Sequence, residues 1–298
     1  DARNGFALHL RNLGVNFIEH CVKSGEFSVE QMNLLRVQFW SLLFCETGAF
    51  ACEGERSLLK EKISCCMAML ACKLWLKLED DPLQWNDFFE AGILESVLKA
   101  SIGLIDPNEH LRRQEFALLV ISEFVHLIRA PLADSALNIS EDRRLQLLAG
   151  LEIVLPSFTQ WLFSNFPLAV AGKVNGRVLN AAVSCFRAIC PWMGNNNNNG
   201  LDSHGIESFI SSCVQILLER ADDEELIINI LDSFQLYFST KCFSPSEQRI
   251  LEFFLTTLQP QLVVLLQKYS SDEDSYQNFK LLTQCFTTIG SRYICNRK

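Results

Sequence analysis

Cysteine and histidine are the side chains best equipped here for nucleophilic, redox or metal chemistry, and the chain has twelve of the first and five of the second. Their spacing argues against each of those uses. Cys65 and Cys66 are adjacent and Cys72 follows one helical repeat later. No CxxC pair occurs, and no Cys/His cluster has the spacing of a tetrahedral zinc site. Most of the cysteines stand inside apolar runs, where a free thiol acts as a small buried hydrophobe. The pattern is that of a reduced, intracellular chain with structural thiols.

The histidines are scattered. His20 and His126 fall inside helical runs, and His9, His110 and His204 lie near helix starts or turns. Glu19-His20 is not part of an HExxH zinc motif. The 14 glycines make neither GxxxxGK[ST] nor GxGxxG, so no loop cradles phosphate, and there is no GxSxG elbow to present a serine. Carboxylates are plentiful, yet no strand or glycine-rich turn converges two of them onto a pocket. No catalytic residue, metal site or cofactor is expected.

Bulk composition narrows the class further. With 49 % hydrophobic and 20 % charged residues the chain buries a large core and is no disordered segment. A net charge of −9 disfavours a general nucleic-acid surface and suits basic protein partners or simple solubility. The pairs Arg112-Arg113 and Arg143-Arg144 each open a helix and are expected to form surface salt bridges with nearby acids. The start, DARNGF, has no Met and no leader and falls almost within a helix, so the chain reads as a piece of a longer one. Residues 153–172 carry no charge and are long enough to span a bilayer. Pro156, Pro167, Gln160 and Asn165 make that stretch a buried helix and a turn, with no membrane insertion expected.

The elements that would position any site are helical throughout. Apolar residues recur at i, i+3, i+4 and i+7, and no strand pattern stands out. Helices are expected at about 6–23, 29–47, 56–78, 83–101, 108–129, 141–165, 174–191 and 203–219, then from about 223, at 246–269 and at 273–295. Ser28 and Gln31 form a capping box for the second. Ser140 caps the sixth. The acids of ADDEE, 221–225, stand at a helix start, where the dipole favours them. Pro260 should kink the tenth. The run NNNNN, within a loop at 194–203, reads as a tolerated insertion between helices.

Taken in pairs, the first members begin near residues 6, 56, 109, 172 and 223, with an unpaired one near 272. That spacing of roughly 50 to 60 residues is the HEAT period of about 40–47 with loop insertions. A lone helical pair cannot cover its apolar face, whereas stacked pairs share one core. The expected architecture is therefore all-α, a HEAT-like α-solenoid of about five antiparallel helix pairs running through residues 1–298 as one array. A compact helical bundle is the competing arrangement. In this scheme EDDPLQWNDFFEAGI, 79–93, is a hairpin turn: Asp80, Asp81 and Pro82 end one helix, and Trp85, Phe88 and Phe89 dock the next against it.

That hairpin resembles one in the importin-β superfamily, the karyopherin-β nuclear transport receptors. There a helix ends in a Trp-Pro-x-x-Trp turn and resumes with acidic and aromatic residues. PLQW at 82–85 keeps the proline and the second tryptophan, while Asp81 stands where the first would be. LGVNFIEHCVKSGEFSVEQMNLLR, 13–36, is similar to the second repeat of that family, through Ile18, Glu19, His20, Val22 and Lys23. NGRVLNAAVSCFRAICPWM, 175–193, is similar to a later helix with a small-residue face. Order and separation of the three agree with the N-terminal region of an exportin.

The resemblance implies a receptor that wraps the GTPase Ran in its GTP form with its N-terminal repeats and carries protein or RNA cargo. It also implies contact with Phe-Gly repeats of the nuclear pore and shuttling between nucleus and cytoplasm. Second helices of each pair would line the concave side, which makes Gln38, Asn86, Asp87, Glu90 and Glu95 the expected Ran contacts. The alternative is a non-transport helical-repeat scaffold that joins other proteins.

Overall fold

A computed structural model describes residues 2–44, 56–75, 88–89, 92–94, 107–129, 139–192, 203–220, 223–240, 245–271 and 275–296. Among these residues the chain is all-α. The helices are α1 (Ala2–Ser24), α2 (Val29–Phe44), α3 (Arg56–Leu74), α4 (Pro107–Arg129), α5 (Glu141–Ala171), α6 (Gly176–Ile189), α7 (Ser203–Glu219), α8 (Glu224–Thr240), α9 (Pro245–Phe253), α10 (Gln259–Ser270) and α11 (Tyr276–Asn296). The chain divides into two compact units, Asp1–Leu155 and Pro156–Lys298, the boundary falling within α5.

Helix ends follow the local chemistry of the sequence. The Ser28 N–H donates to Gln31 Oε1 at 2.8 Å and Gln31 N–H to Ser28 Oγ at 3.3 Å, the reciprocal pair of a capping box at α2. The Arg143 N–H donates to Ser140 Oγ at 3.2 Å at the start of α5. Asp223 accepts from the Leu226 N–H at 3.3 Å and begins α8, within the acidic run expected there. Two helices close with the same wrapped turn. After α1 the Glu26 N–H reaches Cys21 O at 3.1 Å, with Gly25 at φ 75°. After α5 the Val174 N–H reaches Ala169 O and the Lys173 N–H reaches Val170 O, both at 3.0 Å. Here the left-handed position, φ 52°, is held by Lys173 and not by a glycine.

In the first unit α3 packs against both α1 and α4, and α2 lies against α3 and α4. Lys60 meets Glu115 and, further along, Trp75 meets Phe124 with ring centroids 5.4 Å apart. Positions rise together on both helices, so α3 and α4 run parallel. Phe88 and Phe89, in the segment between them, are fully buried and pack on Trp75 at 6.3 and 6.0 Å. That is the docking role expected of the Phe-Phe pair. Trp85 and most of the expected helix at 83–101 lie outside the described residues, as does the asparagine run.

The second unit repeats the arrangement. α8 packs between α6 and α11. Asn180 and Arg187 on α6 meet Asn229 and Asp232 on α8, and Leu231 and Ser239 on α8 meet Cys285 and Arg292 on α11. Both series rise together, so α6, α8 and α11 are parallel. α7 and the α9–α10 segment pack on each other in a second layer. Contacts between successive first-layer helices join residues 45 to 55 apart in sequence, in both units. One parallel helix per repeat, with a returning helix in between, is the local packing of an α-solenoid.

Two expectations need correction. α5 continues through Pro156 and Pro167 to Ala171, where the sequence had placed an end near residue 165. A helical proline costs about 3 kcal/mol. Phe158, Phe163 and Phe166 lie on the buried side of the same segment, and each buried phenylalanine contributes about 1.5–3 kcal/mol. Phe166 packs tilted on Phe209 of α7 with ring centroids 4.3 Å apart, and with Val154, Leu155 and Leu162 also buried, apolar burial along α5 offsets the two proline costs. The irregularity expected at Pro260 falls one turn earlier: Phe254–Leu258 is a π-helix, in which the Gln259 N–H reaches back five residues to Phe254 O. The wider turn makes room for the proline ring against the preceding carbonyls. By length and composition alone, α5 and Gln248–Ser270 could each cross a membrane; half of the apolar window of α5 is buried inside the protein.

Candidate protein-interaction face

α2 builds the face that sequence reasoning singled out. Phe39 is buried beneath it, 6 % exposed. On the other side Glu30, Leu34, Val37, Gln38 and Ser41 are exposed and follow one another at spacings of three, four or one, a single outward stripe. Leu34 and Val37 are large apolar side chains with 66 % and 52 % of their surface in solvent. Ser41 Oγ donates to the Gln38 backbone carbonyl at 2.7 Å, which folds the hydroxyl back onto the helix. The stripe offers apolar contact, one carboxamide and one acid. It can grip a surface; it has no pair of groups for proton transfer.

Gln38 is exposed on the outward side of α2. Asn86, Asp87, Glu90 and Glu95 lie outside the described residues. Leu34 and Val37 were missed in the sequence because apolar residues on a helix read as core until burial is known.

Charged groups elsewhere hold helices together. Glu109 binds Arg112 Nε at 2.7 Å and Arg113 Nε at 2.9 Å; the arginine pair meets an acid as expected, but the bridges are largely buried and not on the surface. Partial burial opposes ionisation of Glu109, and the two guanidiniums outweigh it and hold the carboxyl below its usual range. In the second arginine pair Arg144 keeps the expected salt bridge, to Glu141, and both arginines also reach helix ends. Arg143 donates to Cys72 O at 3.1 Å and to Trp75 O at the end of α3. Arg144 donates to Ile128 O at 2.9 Å at the end of α4, with Glu141 3.5 Å away. Two neighbouring side chains on the first turn of α5 thereby cap two different helices, each at its negative end. Arg292 does the same for α8, donating to Ser239 O at 2.5 Å.

Lys60 and Glu115 form a buried ion pair that the sequence did not disclose. In the second unit Asn229 donates to Asn180 Oδ1 at 2.7 Å and to Ser184 Oγ at 2.8 Å, and Asn180 donates to Glu225 at 2.7 Å. Asp223 also sits so close to Gly176, at the start of α6, that a methyl there would meet its carboxylate.

Among the described thiols, burial suppresses ionisation. Burial pushes Cys65 up to about 11, helped by the Glu123 and Glu19 charges, and Cys66 and Cys285 up to about 12. His110 is buried on α4, and burial with the nearby Arg113 charge holds it neutral below its usual range. His20 and His126 are exposed. Among the described residues no group of three or more His, Cys, Asp or Glu side chains could hold a metal ion.

The class these observations define is an all-α helical-repeat chain with an open, partly apolar stripe on α2. Compared with known proteins, the chain matches no family model and no curated sequence.

Proposed function

We propose that the chain is part of an exportin-like nuclear transport receptor of the karyopherin-β family, which binds Ran in its GTP form and carries protein or RNA cargo. The observation that carries this reading is the parallel stacking of first-layer helices at separations of 45 to 55 residues, with the outward stripe of α2 open to solvent. Each repeat in such a stack touches only its neighbours, so small shifts between repeats sum to a change of curvature. A partner that favours one curvature then alters the affinity for a second partner, and the coupling is reciprocal. In this reading Gln38, Leu34 and Val37 touch Ran, and Asn86, Asp87, Glu90 and Glu95 extend the contact. Phe-Gly repeats of the nuclear pore dock elsewhere on the helices, and the receptor shuttles between nucleus and cytoplasm.

Immobilised Ran loaded with a non-hydrolysable GTP analogue, or with GDP, tests the proposal. A receptor is retained by the GTP form at least tenfold better, and Leu34→Glu with Val37→Glu abolishes the difference while circular dichroism stays unchanged. Equal retention by both forms, or none, removes Ran and leaves a scaffold that joins other proteins.

A further inference from the structure

We draw no further inference here: the strongest candidate, the outward flank of α1 on which Leu13 and Phe17 are 66 % and 63 % exposed, is an unpartnered apolar face, and nothing in the structure shows what covers it.

Discussion

Lys60 on α3 and Glu115 on α4 form an ion pair 2.5 Å long, with 4 % and 11 % of their side chains exposed. The pair lies between two parallel first-layer helices, at positions separated by 55 residues. Two charges withdrawn from water gain little net stability from each other. Their main effect is on register, because any slide of α3 along α4 would break the pair.

Removing one partner should therefore be far worse than removing both. Lys60→Met leaves a buried carboxylate and should destabilise the first unit by about 3–5 kcal/mol. Lys60→Met with Glu115→Leu should recover most of that loss, since buried ion pairs replaced by apolar residues are often neutral. Urea denaturation of the two single variants and the double variant decides it. Additive losses in the double variant would show that the two charges act independently.

Arg143 donates to two carbonyls at the end of α3, and one belongs to Trp75, which packs on Phe88, Phe89 and Phe124. Arg143→Ala should cost about 1.5–3 kcal/mol, the range for hydrogen bonds made by a charged group. Arg143→Lys keeps the charge beside the helix end but not the planar fork that spans both carbonyls, so it should restore less than half. Thermal melts give the magnitudes, and tryptophan emission should shift to the red in the alanine variant. Unchanged melting in Arg143→Ala would mean that water replaces the cap fully.

At the close of α5, Lys173 holds a left-handed backbone at φ 52°. An L-residue there is disfavoured by roughly 1–2 kcal/mol, a strain glycine lacks. Part of that gain is offset by the greater freedom glycine has when unfolded. Lys173→Gly should stabilise the second unit by about 1 kcal/mol. Gly25→Ala, at φ 75° in the matching turn after α1, should do the opposite in the first. Paired denaturation midpoints that move in opposite directions are the expected result; a loss in Lys173→Gly would assign the lysine a contact worth more than the strain.

Glu123, half-buried on α4, is held above its ordinary value of 4.5, first by burial and then by the Glu61 charge, with His126 opposing. The folded chain then binds this proton more tightly than the unfolded chain does. Its favourable contribution is present below the unfolded value and is lost as pH rises through the folded one. Glu123→Gln removes the ionisation, so the variant should be more stable than the parent at pH 7, and the gap should close towards pH 4. Melting temperatures across that range test the sign. A gap that widens on acidification would show that the carboxylate is stabilised by its surroundings.

What the sequence disclosed, and what it hid, follows from the range of the interactions. The capping box of Ser28 and Gln31 involves four consecutive residues, and it was legible. So was the pairing of helices, because the apolar period and the proline and acid breaks are local signals. The fates of Arg143 and Lys60 were hidden. Each depends on a partner 55 to 71 residues away, and a charged residue on a helix looks the same whether it meets solvent or a buried carbonyl. The length of α5 was misjudged because Pro156 and Pro167 are local signals overruled by tertiary packing on Phe209. Of the candidate face, the sequence named Gln38 as a polar residue among apolar ones, and it is exposed. Leu34 and Val37 were not named, for the converse reason.

The thiols give a direct measure of how tightly the layers close. Cys72 is fully buried, and Cys213 and Cys285 are 1 % exposed, all three with ionisation suppressed by burial. Cys65 is only partly buried, yet at about 11 its thiolate fraction at pH 8 is on the order of one in a thousand. Alkylation with a maleimide, followed by mapping of the labelled peptides, should therefore find Cys72, Cys213 and Cys285 unmodified in the native chain. They should be modified fully in urea, with Cys65 ahead of them under native conditions but slow against free cysteine. The rate at the three buried sites then reports opening of the helix layers. In the first unit it should rise in Lys60→Met, which loosens α3, the helix that carries Cys72, from α4, while Cys213 and Cys285 keep their parental rates if the two units open independently. Fast native labelling of Cys72 in the parent chain would contradict the packing of α3 described above.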